Sequence, residues 1–208
     1  MNRVEEIENY LEELFPDPKC ELLYQKDYEL LIAVVLSAQS TDKRVNAVTP
    51  ILFAKYKTLE QLKEAPISDL ATIIHSVGSY HKKAEYIHGI ATRLVEEFDG
   101  KVPNDREILE SFPGVGRKTT NVVLSLLFDV PAIAVDKHVE RISKRLGLAK
   151  EEDNVREVEQ KLMRKYDRQN WSRRHYQMVL FGRYYCKAVK PECEHCALKN
   201  ICKRKDTK

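Results

Sequence analysis

The chain has 208 residues, 32% charged and 43% hydrophobic, with a formal net charge of +3. That length can hold one large core or two small ones, and no apolar run approaches the roughly 20 residues that a membrane-spanning helix needs. The opening MNRVEEIENYLEELF sets acids among its apolar positions, which excludes the basic-then-apolar layout of a secretory signal and makes the cytosol the expected location.

Helical periodicity runs from end to end. Val4, Ile7, Leu11 and Leu14 share one face of a first helix, which Pro16 and Pro18 terminate. Cys20, isolated beside those prolines, reads as a buried small residue. Tyr28 to Leu36 is almost wholly apolar and, with no second strand-like run to pair with, reads as a buried helix. Thr41 or Asp42 is placed to cap the next helix, Thr58 another, and Ser68 a short one that stops before Gly78, a residue suited to a left-handed cap. Residues 80 to 98 form the clearest amphipathic segment and end at Gly100; Asn104 is then expected to cap the helix of Arg106 to Glu110. After a glycine turn a helix runs to about Phe128. Pro131 breaks the pattern, Asp136 caps a helix to about Leu146, and Asp153 or Asn154 and Ser172 cap the last two. The predicted fold class is all-α, short helices on short turns, without repeats or low-complexity segments.

The segment Phe112-Pro113-Gly114-Val115-Gly116-Arg117-Lys118-Thr119 combines a tight turn with an amine. Gly114 and Gly116 lack a Cβ, so the chain can reverse sharply and bring its N–H groups against a phosphate. A phosphate-loop ATPase needs glycine where Arg117 and Phe112 stand, and a strand before the loop where this chain has a helix. That reading is rejected. Helix, Pro-Gly-Val-Gly turn and helix instead form a helix-hairpin-helix, which offers Gly114, Val115 and Gly116 to a DNA backbone without reading sequence, while Val115 plugs the hairpin into the core. The plainer reading is a tight helix connection. Lys118 lies near the positive end of the second helix, where a neutral amine is favoured, and neutral lysines attack carbonyl carbons such as C1′ of a ring-opened sugar. Asp136, in Ile133-Ala134-Val135-Asp136-Lys137-His138, caps a helix in its plain role; it can also accept a proton or stabilise positive charge on a sugar. So small a net charge makes no case for nucleic acid, but basic residues gather locally in Lys137 to Arg145, at Arg173, Arg174 and Arg183, and in Lys199, Lys203, Arg204, Lys205 and Lys208.

Four of five cysteines fall within one short stretch as Cys186-x6-Cys193-x2-Cys196-x5-Cys202. Outside a secretory context such density marks a metal site, either tetrahedral zinc or a four-iron cluster. A single compact loop of ligands, rather than two separated pairs, favours iron–sulfur. Four thiolates fill the shell, so His195 is left out.

Taken together, Leu36-Ser37-Ala38-Gln39-Ser40-Thr41-Asp42, Pro113-Gly114-Val115-Gly116-Arg117-Lys118-Thr119, Ala134-Val135-Asp136, Phe181-Gly182-Arg183-Tyr184 and the 6-2-5 cysteine spacing resemble the endonuclease III family of helix-hairpin-helix glycosylases nearly end to end. The resemblance implies two all-α lobes, a six-helix barrel over residues 22–132 with its helix-hairpin-helix at about 106–128, and a helical iron–sulfur lobe of 1–21 with 133–208, the cluster loop being 186–202. It also implies a bifunctional glycosylase and abasic-site lyase. Lys118 would be the Schiff-base lysine and Asp136 the catalytic aspartate, acting on oxidised pyrimidines in double-stranded DNA and cutting 3′ to the abasic site by β-elimination. Gln39 would fill the gap left by the extruded base, Glu110 would lie near that base, and Ser79 and His138 would be further DNA contacts. Cys186, Cys193, Cys196 and Cys202 would hold a [4Fe–4S] cluster, and the protein would act as a monomer.

The chain departs from the family at three places: Ser79 stands for a bulky apolar wedge, Lys137 for threonine and Thr120 for alanine. An adenine-mismatch glycosylase lacks the lysine and carries an extra C-terminal domain. A non-catalytic zinc-bearing DNA-binding module, in which Lys118 only touches phosphate, is the rival from another class.

Overall fold

The computed structural model describes residues 2–204, and every regular element among them is helical. The chain divides into two units, Glu21–Asp129 and Met1–Cys20 with Val130–Lys208.

The first of these holds α2 (Asp27–Leu36), α3 (Asp42–Lys55), α4 (Leu59–Glu64), α5 (Ile67–Ile73), α6 (Tyr80–Glu97), α7 (Arg106–Glu110) and α8 (Arg117–Phe128). Tyr28 through Leu36 is buried without a break, so α2 is the unit's central helix and needs no polar face. Its buried Glu29 is not left unsatisfied: the carboxylate accepts the N–H groups of Gln25 at 2.8 Å and Lys26 at 3.3 Å, where the chain enters the helix. Thr41 and Thr58 cap α3 and α4 as expected from their hydroxyls. Other caps differ. Ser68 lies inside α5, which starts after Pro66 with no side-chain cap. The left-handed residue before α6 is Ser79, at φ +57°, and not Gly78. Asp105, one residue later than Asn104, accepts from the Ile108 N–H and caps α7.

α6 is the platform for the glycine turn. Gly89 has Pro113 so close that a Cβ would stand 2.9 Å from Cγ of the ring, and a Cβ on Gly114 would fall 2.4 Å from the Tyr86 ring. Gly114 has φ +74°, a conformation only glycine adopts without strain. Arg93 fixes the other side: its guanidinium donates to the Ser111 carbonyl at 2.9 Å and lies 4.3 Å from the Phe112 ring centroid.

The second unit is built from both chain ends: α1 (Arg3–Leu14), α9 (Lys137–Arg145), α10 (Val155–Lys165) and α11 (Trp171–Tyr184), with 3₁₀ turns at Arg168–Asn170 and Ala197–Asn200. Ile7 and Leu11 enter one core with Val139, Ile142, Leu162 and Phe181. The polar seam beside it is ionic. Arg174, 6% exposed, donates to Glu8 at 3.0 Å and Glu12 at 2.6 Å, and Arg173 also pairs with Glu12. The hydrogen bond from Arg173, opposed by partial burial and reinforced by Arg174, lowers the Glu12 carboxyl to about 2. Asn154 caps α10. Ser172, expected as a cap, is the second residue of α11, and its hydroxyl accepts instead from the Ala132 N–H at 3.4 Å. Cys20 is partly exposed rather than buried, because it lies in a stretch without regular structure between α1 and α2.

Gly89 offers a test of the packing between α6 and the turn. Alanine would normally stabilise a helix interior by about 1 kcal/mol over glycine. Overlap with Pro113 costs more than that, so Gly89→Ala is expected to lower unfolding stability by about 1 kcal/mol net, measured by urea titration.

Candidate active site and cysteine loop

Lys118 is the second residue of α8, immediately beyond the turn, and is half-buried. It makes no hydrogen bond or ion pair with any described residue. The turn presents Gly116 as the residue before α8, exposed, with open space where a Cβ would be. Val115 is 6% exposed, so it anchors the hairpin while its neighbours face solvent. Glu110 closes α7 and is exposed, paired at 3.1 Å with Arg106, whose other arm reaches Asn121 Oδ1 at 2.7 Å. Thr120 is fully buried with its hydroxyl lacking a partner among the described residues, an arrangement that costs on the order of 1–3 kcal/mol.

Asp136 performs the capping its position suggests. Oδ1 accepts the N–H groups of His138 and Val139, each at 2.8 Å, and Oδ2 lies 3.1 Å from His138 Nδ1. Burial alone would raise this carboxyl's pKa. The His138 and Val139 hydrogen bonds and the charges of His138 and His175 outweigh it, and the group is held below the ordinary aspartate range. His138 therefore sits beside the carboxylate. Its backbone is pressed against α11, where a Cβ on Gly182 would lie 2.9 Å from the His138 Cβ. That contact explains the glycine in Phe181-Gly182-Arg183.

Gln39 and Ser79 are exposed turn residues at φ +55° and +57°. Between them lies a residue that sequence reading passed over. Lys83, on α6, is 4% exposed and donates to the carbonyls of Leu36 at 2.9 Å and Ala38 at 2.5 Å. Burial pushes its pKa down. The signal was present in the sequence: Lys83 falls on the same helical face as Ile87, Ile90 and Leu94.

Cys186, Cys193, Cys196 and Cys202 line one pocket together with Tyr10 and Phe181. No three His, Cys, Asp or Glu side chains among the described residues are gathered closely enough to grip a single ion. These four thiols are the soft donors in that pocket that could hold a metal or cluster. α9 holds the loop: Arg141 donates to the Gly182 and Cys186 carbonyls, and Arg145 to the Lys187 carbonyl at 2.8 Å and to Cys186 Sγ at 3.3 Å. These arginines, like Arg173 and Arg174, belong to the local gatherings of basic residues in the sequence, and their guanidiniums are engaged within the fold. Lys205 and Lys208 lie outside the described residues.

Residues 32–168 match the HhH-GPD superfamily base excision DNA repair protein family. Endonuclease III of Bacillus subtilis (strain 168) is 49% identical over 191 residues, 92% of this chain and 87% of that protein. Endonuclease III of Escherichia coli (strain K12) is 40% identical over 208 residues, 99% of this chain and 98% of that protein. Among solved structures, a trapped endonuclease III–DNA covalent intermediate has TM-score 0.92 at 48% identity, covering 98% of this chain and 97% of its own. A non-covalent endonuclease III–DNA complex has TM-score 0.93 at 47% identity, covering 98% and 96%.

The Asp136 carboxylate depends on His138 for its low pKa. In His138→Ala, burial is opposed by backbone N–H groups and the charges of His175 and Arg141 but no longer by the His138 ring, so the Asp136 pKa is expected to rise toward the ordinary range, read by NMR titration of its carboxyl carbon.

Proposed function

The chain belongs to the HhH-GPD superfamily of base excision DNA repair proteins and, within it, to the endonuclease III family; from that premise we propose that this DNA glycosylase is bifunctional, releasing oxidised pyrimidines and then cutting the strand. Its partner is double-stranded damaged DNA, bound by a monomer in the cytoplasm, where the nucleoid lies. Among the described residues no helix is long and apolar enough to cross a membrane.

The observation that carries this reading is Lys118: a half-buried amine without a partner among the described residues, two positions after Gly116, which the turn leaves bare toward a backbone phosphate. A nucleotide is flipped out of the stack, at a cost of a few kcal/mol. Gln39 would fill the space it vacates, Ser79 would stand at the wedge position, Glu110 would lie near the extruded base, and His138 would be a further DNA contact. The Lys118 nitrogen attacks C1′ through its lone pair, the C1′–base bond breaks, and the base leaves with the bonding pair and takes up a proton. Loss of a nitrogen proton and opening of the sugar give the Schiff base. Removal of a C2′ proton then expels the 3′ phosphate, and water hydrolyses the imine to free the lysine.

Asp136 serves as a fixed negative charge. Its low pKa makes it a weak proton acceptor at neutral pH but keeps it ionised, which suits stabilisation of positive charge as the base departs. Cys186, Cys193, Cys196 and Cys202 would hold a [4Fe–4S] cluster. That group would crosslink the loop they occupy, which Arg141 and Arg145 already tie to α9.

Borohydride is expected to trap the wild-type protein covalently on duplexes carrying an abasic site or an oxidised pyrimidine, and Lys118→Ala to give no adduct; trapping of that variant would remove Lys118 from its role. Asn caps helices as well as Asp does. Asp136→Asn is therefore expected to melt near the wild type while base release falls by on the order of a hundredfold, about 2.7 kcal/mol of transition-state stabilisation.

Iron and acid-labile sulfide are expected at about four each per chain in the coloured, anaerobically isolated protein. A colourless protein with one zinc overturns the cluster assignment.

A further inference from the structure

Gln39 and Ser79 share an uncommon state: both are exposed residues with side chains, yet both have left-handed backbones. Such a conformation costs on the order of 1 kcal/mol at each position and persists only where its surroundings over-determine it. Here the surroundings can be named. The Lys83 ammonium donates to the Leu36 and Ala38 carbonyls and lies 3.4 Å from Ser40 Oγ, so it gathers one oxygen from the end of α2 and two from the turn that carries Gln39. Ser40 Oγ accepts in turn from the Gly78 N–H at 3.0 Å, one residue before Ser79. A Cβ on Gly78 would stand 3.2 Å from the Gln39 carbonyl oxygen, so the two turns touch backbone to backbone.

Lys83 has no carboxylate partner among the described residues; oxygens of the α2 end and the turn after it satisfy its charge. A buried ammonium of this kind is a costly way to fill a helix face that otherwise carries Ile87, Ile90 and Leu94. An apolar side chain would pack there, but it could not fix those oxygens. We propose that Lys83 is a positioning residue for damaged DNA: by clamping the Ser37–Thr41 turn to the start of α6, it presents Gln39 and Ser79 to the interrupted duplex as one preformed pair. The proposal rests on the reading of those two residues as DNA-facing. Its physical content is preorganisation, since a pair already held together need not be ordered when DNA binds.

The test uses the full chain and two duplexes, one undamaged and one carrying a tetrahydrofuran abasic analogue, with 2-aminopurine opposite the analogue to report unstacking. Lys83→Met keeps the length of the side chain and loses its donors. It is expected to bind the analogue duplex about tenfold more weakly than wild type, with a smaller 2-aminopurine signal. Placed in a Gln39→Ala, Ser79→Gly background, Lys83→Met is expected to cost no more than about twofold further, because the clamp then has nothing to present. A folded Lys83→Met with wild-type affinity and signal overturns the proposal. So does a full tenfold loss repeated in the doubly substituted background, which makes Lys83 merely structural. If Lys83→Met does not melt cooperatively, Ser40→Ala decides by the same two readings, since it severs the link to Gly78 and leaves the Lys83 carbonyl bonds in place. A wild type that binds both duplexes alike overturns the DNA-facing reading of Gln39 and Ser79 and the clamp with it. A wild type that discriminates, beside an unchanged variant, overturns the clamp alone.

Discussion

The absence of two β-carbons governs the Glu21–Asp129 unit. Gly89 and Gly114 let the Pro113–Gly114 turn lie directly on α6, with the proline ring on one glycine and the Tyr86 ring under the other. Interiors packed at this density do not yield to an added methyl without a shift elsewhere. Because α6 also carries Lys83 and begins at Ser79, the hairpin before Lys118 and the turn holding Gln39 are referenced to one rigid helix. Their mutual geometry is thus a property of 18 residues of helix rather than of loops. Positions on regular elements are held more tightly than positions on loops, and near-attack geometry needs that precision.

In the other unit a single carboxylate is asked to do two compatible things. Asp136 starts α9 by accepting two N–H groups, and the same bonds keep it ionised. The helix end that it stabilises is also the one that stabilises its charge. Further along α9, Arg141 and Arg145 reach the cysteine loop, so one helix of nine residues spans from the carboxylate to Cys186.

Much of this was legible in the sequence, for physical reasons that differ by residue. Buried helices such as α2 announce themselves by composition, and the caps at Thr41, Thr58 and Asp136 by side-chain chemistry close to the backbone they serve. The caps that moved do not share one cause: Asp105, as able as Asn104, caps α7, whereas α5 and α11 begin after Pro66 and Asn170 with no side-chain cap at all. The left-handed residue before α6 fell on Ser79 because Gly78 is needed where its missing side chain admits the Gln39 carbonyl. Long-range ionic partners were not legible. Arg173 and Arg174 looked like surface charge because Glu8 and Glu12 stand over 160 positions away. Lys83 hid for the opposite reason, as a polar residue on an apolar stripe whose acceptors are backbone carbonyls that no sequence pattern marks.

The ionic seam between α1 and α11 has a consequence for how the protein is made. Glu8 and Glu12 leave the ribosome early, but Arg173 and Arg174 follow only after the whole Glu21–Asp129 unit has been synthesised. At about 5–20 residues per second, α1 waits on the order of ten seconds or more for its partners. The lysine-bearing unit can therefore reach its native packing while the carboxylate-bearing one is still half-made. During synthesis the nascent chain holds Lys118 in a packed unit before it holds Asp136 in one.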